Sequence, residues 1–273
     1  MGIKLLVVGG GKMGSALLGG LLASNWAKPS ELAVADPDPH RREALAKDHP
    51  GIVLFEAVTP DDVTPDLFDP SSGALLAVKP EVSEPACRVL GTAGVTRVLS
   101  IVAGMAVHRL EACLPDSAVV VRAMPNTPAL VGAGVTVMSG GGRATAADLD
   151  WAESVLRAVG VVVRLPERYL DAVTGVSACG PAYFYLVAEA MIDAGVTVGL
   201  TRDLSRTLVA ETLLGTARLM VETGESPEAL RAAVTSPGGA TAAGVRTLEQ
   251  RGVRSAFIEA VVAASERSHN LGR

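Results

Sequence analysis

Short apolar runs alternate with helical patterns through the first 165 residues and stop at Pro166, and this break constrains the fold more than any other feature of the chain. The runs are IKLLVV, ELAVA, ALLAV, TRVLSI, AVVVRA, GVTVM and GVVVRL, with helical patterns over 12–24, 39–48 and 81–90 between the earlier ones. Such alternation predicts βαβ units around a mostly parallel sheet. Beyond Pro166 the pattern is helical, with predicted helices at 180–198, 201–223, 226–234, 239–250 and 252–269, punctuated by Gly180-Pro181, Gly224 and Ser236-Pro237. The expected class is therefore α/β. A Rossmann-type doubly wound sheet domain occupies 1–165, and an all-α domain occupies 166–273. Hydrophobic residues make up 49% of the chain but aromatics only 3%, so Ala, Val and Leu must build the interior, as in parallel sheets and helix bundles.

The stretch YFYLVAEAMIDAGVTVGL is apolar on most sides, the mark of a buried helix. About 105 helical residues cannot bury such faces alone, so the helical part is expected to pack against a second copy. A net charge of -5, with no Lys/Arg cluster, argues against nucleic acid and anionic membrane surfaces and favours a small-molecule ligand. No apolar run approaches the roughly 18 residues of a membrane span. The apolar stretch from Ile3 to Val8 is too short for a signal peptide. Cys87, Cys113 and Cys179 lie far apart, which suggests neither a disulfide framework nor a metal site and fits a reducing cytoplasm.

VVGGGKMGSALLGGLL sets Gly9, Gly11 and Gly14 in a GxGxxG pattern between the first strand and the first helix. Gly9 permits the tight turn, Gly11 lets the backbone approach a pyrophosphate, and Gly14 allows close helix-to-strand packing, with Lys12 and Met13 beside the helix N-terminus that faces the anion. Asp36, 22 positions beyond Gly14, ends the second strand, where an acidic residue accepts hydrogen bonds from the adenosine ribose. That favours NAD. Arg41 and Arg42 pull toward a 2′-phosphate, or form a solvated helix surface, so both NADPH and NADH stay open. Ala77, Val78, Lys79 and Pro80 end another strand at the ligand-binding edge of such a sheet, and RAMPNTPALVGAG presents Asn126 at that edge on a loop stiffened by two prolines. A surface lysine and a structural turn explain these last two segments about equally well.

Near the end, VTSPGGATAAGVRTLE packs Ser236, Pro237, Gly238, Gly239, Ala240 and Thr241 where a helix begins, although glycine costs a helix about 1 kcal/mol relative to alanine. Taken with GxGxxG, AVKP, RAMPNTPA and GPAY leading into EAMIDAGVTVGL, this segment resembles the pyrroline-5-carboxylate reductases, in order and over nearly the whole chain. That family reduces the cyclic imine 1-pyrroline-5-carboxylate to L-proline with NAD(P)H. It dimerises through interlocked C-terminal helices, often assembles into decamers, and holds substrate across the dimer interface from a cofactor on the partner's sheet. The resemblance implies that Gly238, Gly239 and Ala240 bring bare N–H groups to the substrate carboxylate, that Ser236 adds a hydroxyl, and that the Thr241 hydroxyl meets the ring nitrogen. Ser236 and Thr241 are then the catalytic candidates. A plain helix start, with Ser236 as N-cap and Pro237 at the first position, accounts for the same segment but leaves the glycines unexplained.

Four histidines, at 40, 49, 108 and 269, lie outside every motif, and no lysine follows Lys79. This counts against a β-hydroxy-acid dehydrogenase of similar layout, which needs a base in its helical part. An imine that arrives protonated needs positioning and charge recognition instead. A non-catalytic NAD(P)-sensing protein is the third reading, and it would have no use for the SPGGAT segment. Two departures from the family stand near the site. Its usual SGSGPAY reads Ser177-Ala178-Cys179-Gly180-Pro181-Ala182-Tyr183, and Ala232 replaces an Asp usual before SPGG.

Overall fold

A computed structural model describes residues 2–59 and 61–271. They form two compact units, 1–179 with 263–273, and 180–262. The first is built on eight strands: β1 Ile3–Val8, β2 Leu32–Ala35, β3 Val53–Phe55, β4 Phe68–Leu76, β5 Arg97–Ser100, β6 Val119–Met124, β7 Gly134–Gly140 and β8 Gly160–Arg164. Their order is β3-β2-β1-β4-β5-β6-β7-β8, parallel throughout except for the antiparallel pair β6 and β7. The doubly wound α/β class expected from the sequence is the one found. The order in which strands are added reverses between the parallel neighbours β1 and β4, so the crevice above the carboxyl ends of those strands is the natural ligand site.

Alternation along β1 explains how both faces are covered. Leu6 and Val8 join one core cluster with Cys87 and Leu90 of α3 (Pro80–Thr92) and Leu110 of α4 (Val107–Glu111). Leu5 and Val7 join the other, with Leu17 and Leu21 of α1 (Lys12–Ala23), Leu45 of α2 (Pro39–Asp48) and Val155 of α5 (Ala146–Leu156). Side chains of successive strand residues point to opposite faces, so a strand buried on both reads as an unbroken apolar run.

The strands end at Arg164, yet the compact unit continues to Cys179. Leu170 in α6 (Leu170–Val173) is fully buried against Met124 and Val137, which ties this segment to β6 and β7 rather than to the helices that follow. The Ser268 hydroxyl donates to Asp171 Oδ1 at 2.8 Å, bringing the end of α11 (Val253–Leu271) into the same unit. A π-turn over Thr174–Ala178 then leads to α7 (Gly180–Thr197).

The second unit comprises α7, α8 (Arg202–Thr223), α9 (Pro227–Ala233), α10 (Ala240–Gln250) and the first part of α11. Its apolar faces are open in the single chain: Phe184 is 63% exposed, Val198 79% and Val221 79%. Patches of this extent mark interaction surfaces. The helical stretch Glu167–Thr197 also corrects the expectation that nothing here is long and apolar enough to span a membrane. By length and composition it is, with a mean hydropathy of 1.2 over its best window. Its polar residues are few and scattered, so the average is high although no long run is unbroken.

Candidate active site

The glycine-rich loop joins β1 to α1 at the carboxyl edge of the sheet. Gly9 has φ +101°, and a Cβ there would stand 2.6 Å from the Ala77 carbonyl oxygen, so the loop lies directly on the end of β4. A Cβ at Gly14 would fall on the Gly9 carbonyl oxygen. At Gly11 it would meet nothing within 4 Å, which leaves the open face where a diphosphate can approach the backbone. Gly11 is also the N-cap of α1 and offers no side-chain cap, so the first-turn N–H groups of Lys12, Met13 and Gly14 are left for an outside acceptor. These residues fit a dinucleotide. Lys79, the exposed N-cap of α3, precedes Pro80 at the first helical position, and its ammonium has no partner among the described residues.

Asp36 sits at the same edge but is 2% exposed. Its Oδ2 accepts from the Gly10 N–H at 2.7 Å and from Arg41 Nη1 at 2.9 Å, and its Oδ1 accepts from the Asp38 N–H at 3.0 Å. Burial raises the pKa of this carboxyl, but the Asp38, Arg41 and Gly10 bonds outweigh it and hold the group below the ordinary aspartate range, so it is charged at neutral pH. Arg42 Nη1 donates to the Asp36 carbonyl at 2.7 Å. The sequence gives no sign of Gly10's part, because it fills a variable position of the motif.

Asn126 is held from both sides. Its Oδ1 accepts the Val135 N–H at 2.9 Å, and its Nδ2 lies 3.3 Å from the Ser177 carbonyl oxygen and 3.4 Å from the Ser177 hydroxyl. The amide thereby ties the MPNTP loop to β7 and to the π-turn. Ser177 enters the site's framework by this route, which nothing in its own sequence surroundings signals.

In the second unit, Gly239 and not Ser236 is the N-cap of α10, with φ -77° and ψ 173° and no side-chain cap bond. Both glycines have a structural reason. Gly238 has φ +72°, in the left-handed region, and a Cβ at Gly239 would fall on the Ser236 hydroxyl. The Gly239 N–H is taken by the Ser236 carbonyl at 3.1 Å. The open donors are therefore those of the first helical turn, Ala240, Thr241 and Ala242. Six threonines of this unit, Thr197, Thr207, Thr216, Thr223, Thr235 and Thr247, donate their hydroxyls to carbonyls one turn back. The Thr241 and Ser236 hydroxyls have no such bond among the described residues, and both residues are exposed. Two hydroxyls without a hydrogen-bond partner among the described residues, open N–H groups and the positive end of a helix lie together at the start of α10, which suits a small carboxylate.

Comparison with known proteins identifies the family. Residues 167–271 match a model described as pyrroline-5-carboxylate reductase dimerisation, and residues 4–104 match one described as NADP oxidoreductase coenzyme F420-dependent. A pyrroline-5-carboxylate reductase from Synechocystis is 44% identical, the match covering the full length of both chains. The chain belongs to the pyrroline-5-carboxylate reductase family. Among solved structures, the family's member from Coxiella burnetii aligns over 100% of both chains with a TM-score of 0.89 and 30% identity. A Plasmodium falciparum pyrroline carboxylate reductase, solved with NADP bound, aligns over 99% of this chain and 98% of its own with a TM-score of 0.85, also at 30% identity.

Family membership accounts for the open helical faces, since the dimerisation model spans nearly all of them, and the chain self-associates through that domain. It also locates the two departures. Cys179 caps the π-turn, donating its N–H to the Thr174 carbonyl at 2.9 Å, a bond any residue there can make. Ala232 lies on α9, two residues before its C-cap. Neither alters the donors at the start of α10.

Proposed function

We propose that the chain reduces 1-pyrroline-5-carboxylate to L-proline, taking a hydride from NADPH or NADH, with Ser236, Gly238, Gly239, Ala240 and Thr241 as the substrate site. Gly9, Gly11, Lys12, Met13, Gly14, Ala77, Val78, Lys79 and Pro80 form the cofactor site, with Asp36 and Asn126 at its border. The observation that carries this reading is the α10 N-terminus, whose first-turn N–H groups and neighbouring Ser236 and Thr241 hydroxyls have no partner among the described residues. Bound reduced nicotinamide supplies the hydride. The protein's tasks are then to hold the carboxylate, orient the ring and accommodate the change of charge at nitrogen. The protonated imine accepts the hydride at carbon, its C=N π pair becomes the amine lone pair, and no protein general acid is required. Thr241, one residue into the helix, bonds the ring nitrogen through this change, while the Ala240 and Thr241 N–H groups and the Ser236 hydroxyl hold the carboxylate.

A sheet domain over 1–165 and a helical domain over 166–273 divide these tasks, and the substrate of one protomer meets the cofactor held by its partner. We place the enzyme in the cytoplasm, free of membrane and nucleic acid, as a dimer or a decamer; sedimentation decides between these sizes. The carboxylate assignment is tested with 1-pyrroline, the same ring without the acid. Losing two charge-assisted bonds lowers kcat/KM by at least about 100-fold relative to the carboxylate substrate. Equal efficiency for the two rings would remove the α10 terminus from the site.

A further inference from the structure

An acidic residue at the end of β2 can serve the cofactor in two ways, as a ligand of the ribose diol or as a strut beneath the loop that holds the phosphates. Asp36 is arranged for the second. Its three donors come from three segments: Gly10 in the glycine-rich loop, Asp38 in the turn before α2, and Arg41 in α2 itself. Two carboxylate oxygens offer about four acceptor sites, so three are filled, and at 2% exposure almost no surface remains for a diol. The contact with the loop is tight. A Cβ at Gly10 would stand 2.9 Å from Leu45 Cδ1 and 3.4 Å from Asp36 Oδ2, so the Gly10 amide is pressed onto α2 and the carboxylate together. Arg41, by contrast, has a side chain 44% exposed, and Asp36 fixes its guanidinium at the surface of this corner.

We propose that Asp36 is a positioning residue, which sets the glycine-rich loop through the Gly10 amide and anchors Arg41 toward the 2′ end of the cofactor, and is not itself a ribose ligand. This rests on reading the sheet edge as a dinucleotide site. Its consequence is that Asp36 serves phosphorylated and unphosphorylated cofactors alike, while discrimination between them falls to Arg41.

Calorimetric titration of the full-length protein with NADP+ and NAD+ separates the two roles without recourse to turnover. Asp36→Asn places an amide where an N–H or a guanidinium must be accepted, and it weakens both nucleotides by about 10-fold, in keeping with loss of hydrogen bonds to a charged group. Arg41→Gln leaves Asp36 on Gly10 with its charge uncompensated. It weakens NADP+ by about 10-fold and leaves NAD+ within about 2-fold, as expected of a change confined to the 2′ corner. A loss confined to NAD+ in Asp36→Asn, or tighter NAD+ in Arg41→Gln as the carboxylate swings free to the ribose, overturns the proposal. Should Asp36→Asn fail to fold, as thermal melting would reveal, the Arg41→Gln titration alone decides. Wild-type protein that binds neither nucleotide would overturn the dinucleotide reading itself, a result distinct from either variant's.

Discussion

Gly239→Val removes saturation by the imine while leaving the cofactor site untouched. The backbone at Gly239 is extended, so valine meets no strain in φ. Its Cβ, however, lands on the Ser236 hydroxyl and must drive that side chain away, while its branches stand over the first N–H groups of α10. The carboxylate then loses the hydroxyl donor and the clear approach to the helix terminus. Each bond to a charged group contributes about 1.5–3 kcal/mol, so losing two lowers kcat/KM by at least about 100-fold. Valine is a poor N-cap and costs the helix about 1 kcal/mol, too little to unfold a well-packed oligomer. Steady-state kinetics with pyrroline-5-carboxylate, beside NADP+ titration and thermal melting, check the result. A normal imine KM would show that the carboxylate binds elsewhere.

Thr241→Ala has a comparable effect by a different route. The Thr241 hydroxyl makes no bond among the described residues, so alanine removes no contact seen in the fold and improves helix propensity. What is lost is one hydrogen bond to a nitrogen whose charge changes during the reaction, worth about 1.5–3 kcal/mol, and kcat/KM falls roughly 10- to 200-fold. Because that bond matters most as hydride arrives, the loss lies chiefly in kcat. Thr241→Ser restores most of it. Full efficiency in Thr241→Ala, or a loss accompanied by unfolding, would make the threonine a part of the helix start only.

Elements with a strong period were legible in the sequence because burial imposes that period. The helix at 39–48 appears in the structure at the same residues, and the helical half follows the predicted order with ends within two residues. Elements that escaped were short or weakly periodic. Strand β3 is three half-buried residues. Helix α5 left one usable sign, the Thr145–Asp148 capping box, in which each residue's side chain accepts the other's backbone N–H. The boundary near 165 marks where strands end; the compact unit runs on to Cys179 because Leu170 belongs to the sheet's core, a tertiary contact that periodicity does not encode.

The site was legible as motifs, less so as chemistry. GxGxxG located the cradle, but the direction of the Asp36 carboxylate depends on Gly10 and Arg41 together, and no spacing rule distinguishes a strut from a ligand. SPGGAT likewise located the start of α10. Which N–H groups stay open there was decided by the Ser236–Gly239 turn, which uses the Gly239 N–H and passes the role to Ala240 and the residues after it.

The central claim is tested most directly by incubating the purified protein with NADPH or NADH and 1-pyrroline-5-carboxylate, following nucleotide absorbance and L-proline together. One L-proline formed per nucleotide oxidised, with no oxidation when the imine is omitted, is the result predicted. Nucleotide turnover with 3-hydroxy acids and none with the imine, or nucleotide binding with no turnover of either, would contradict it.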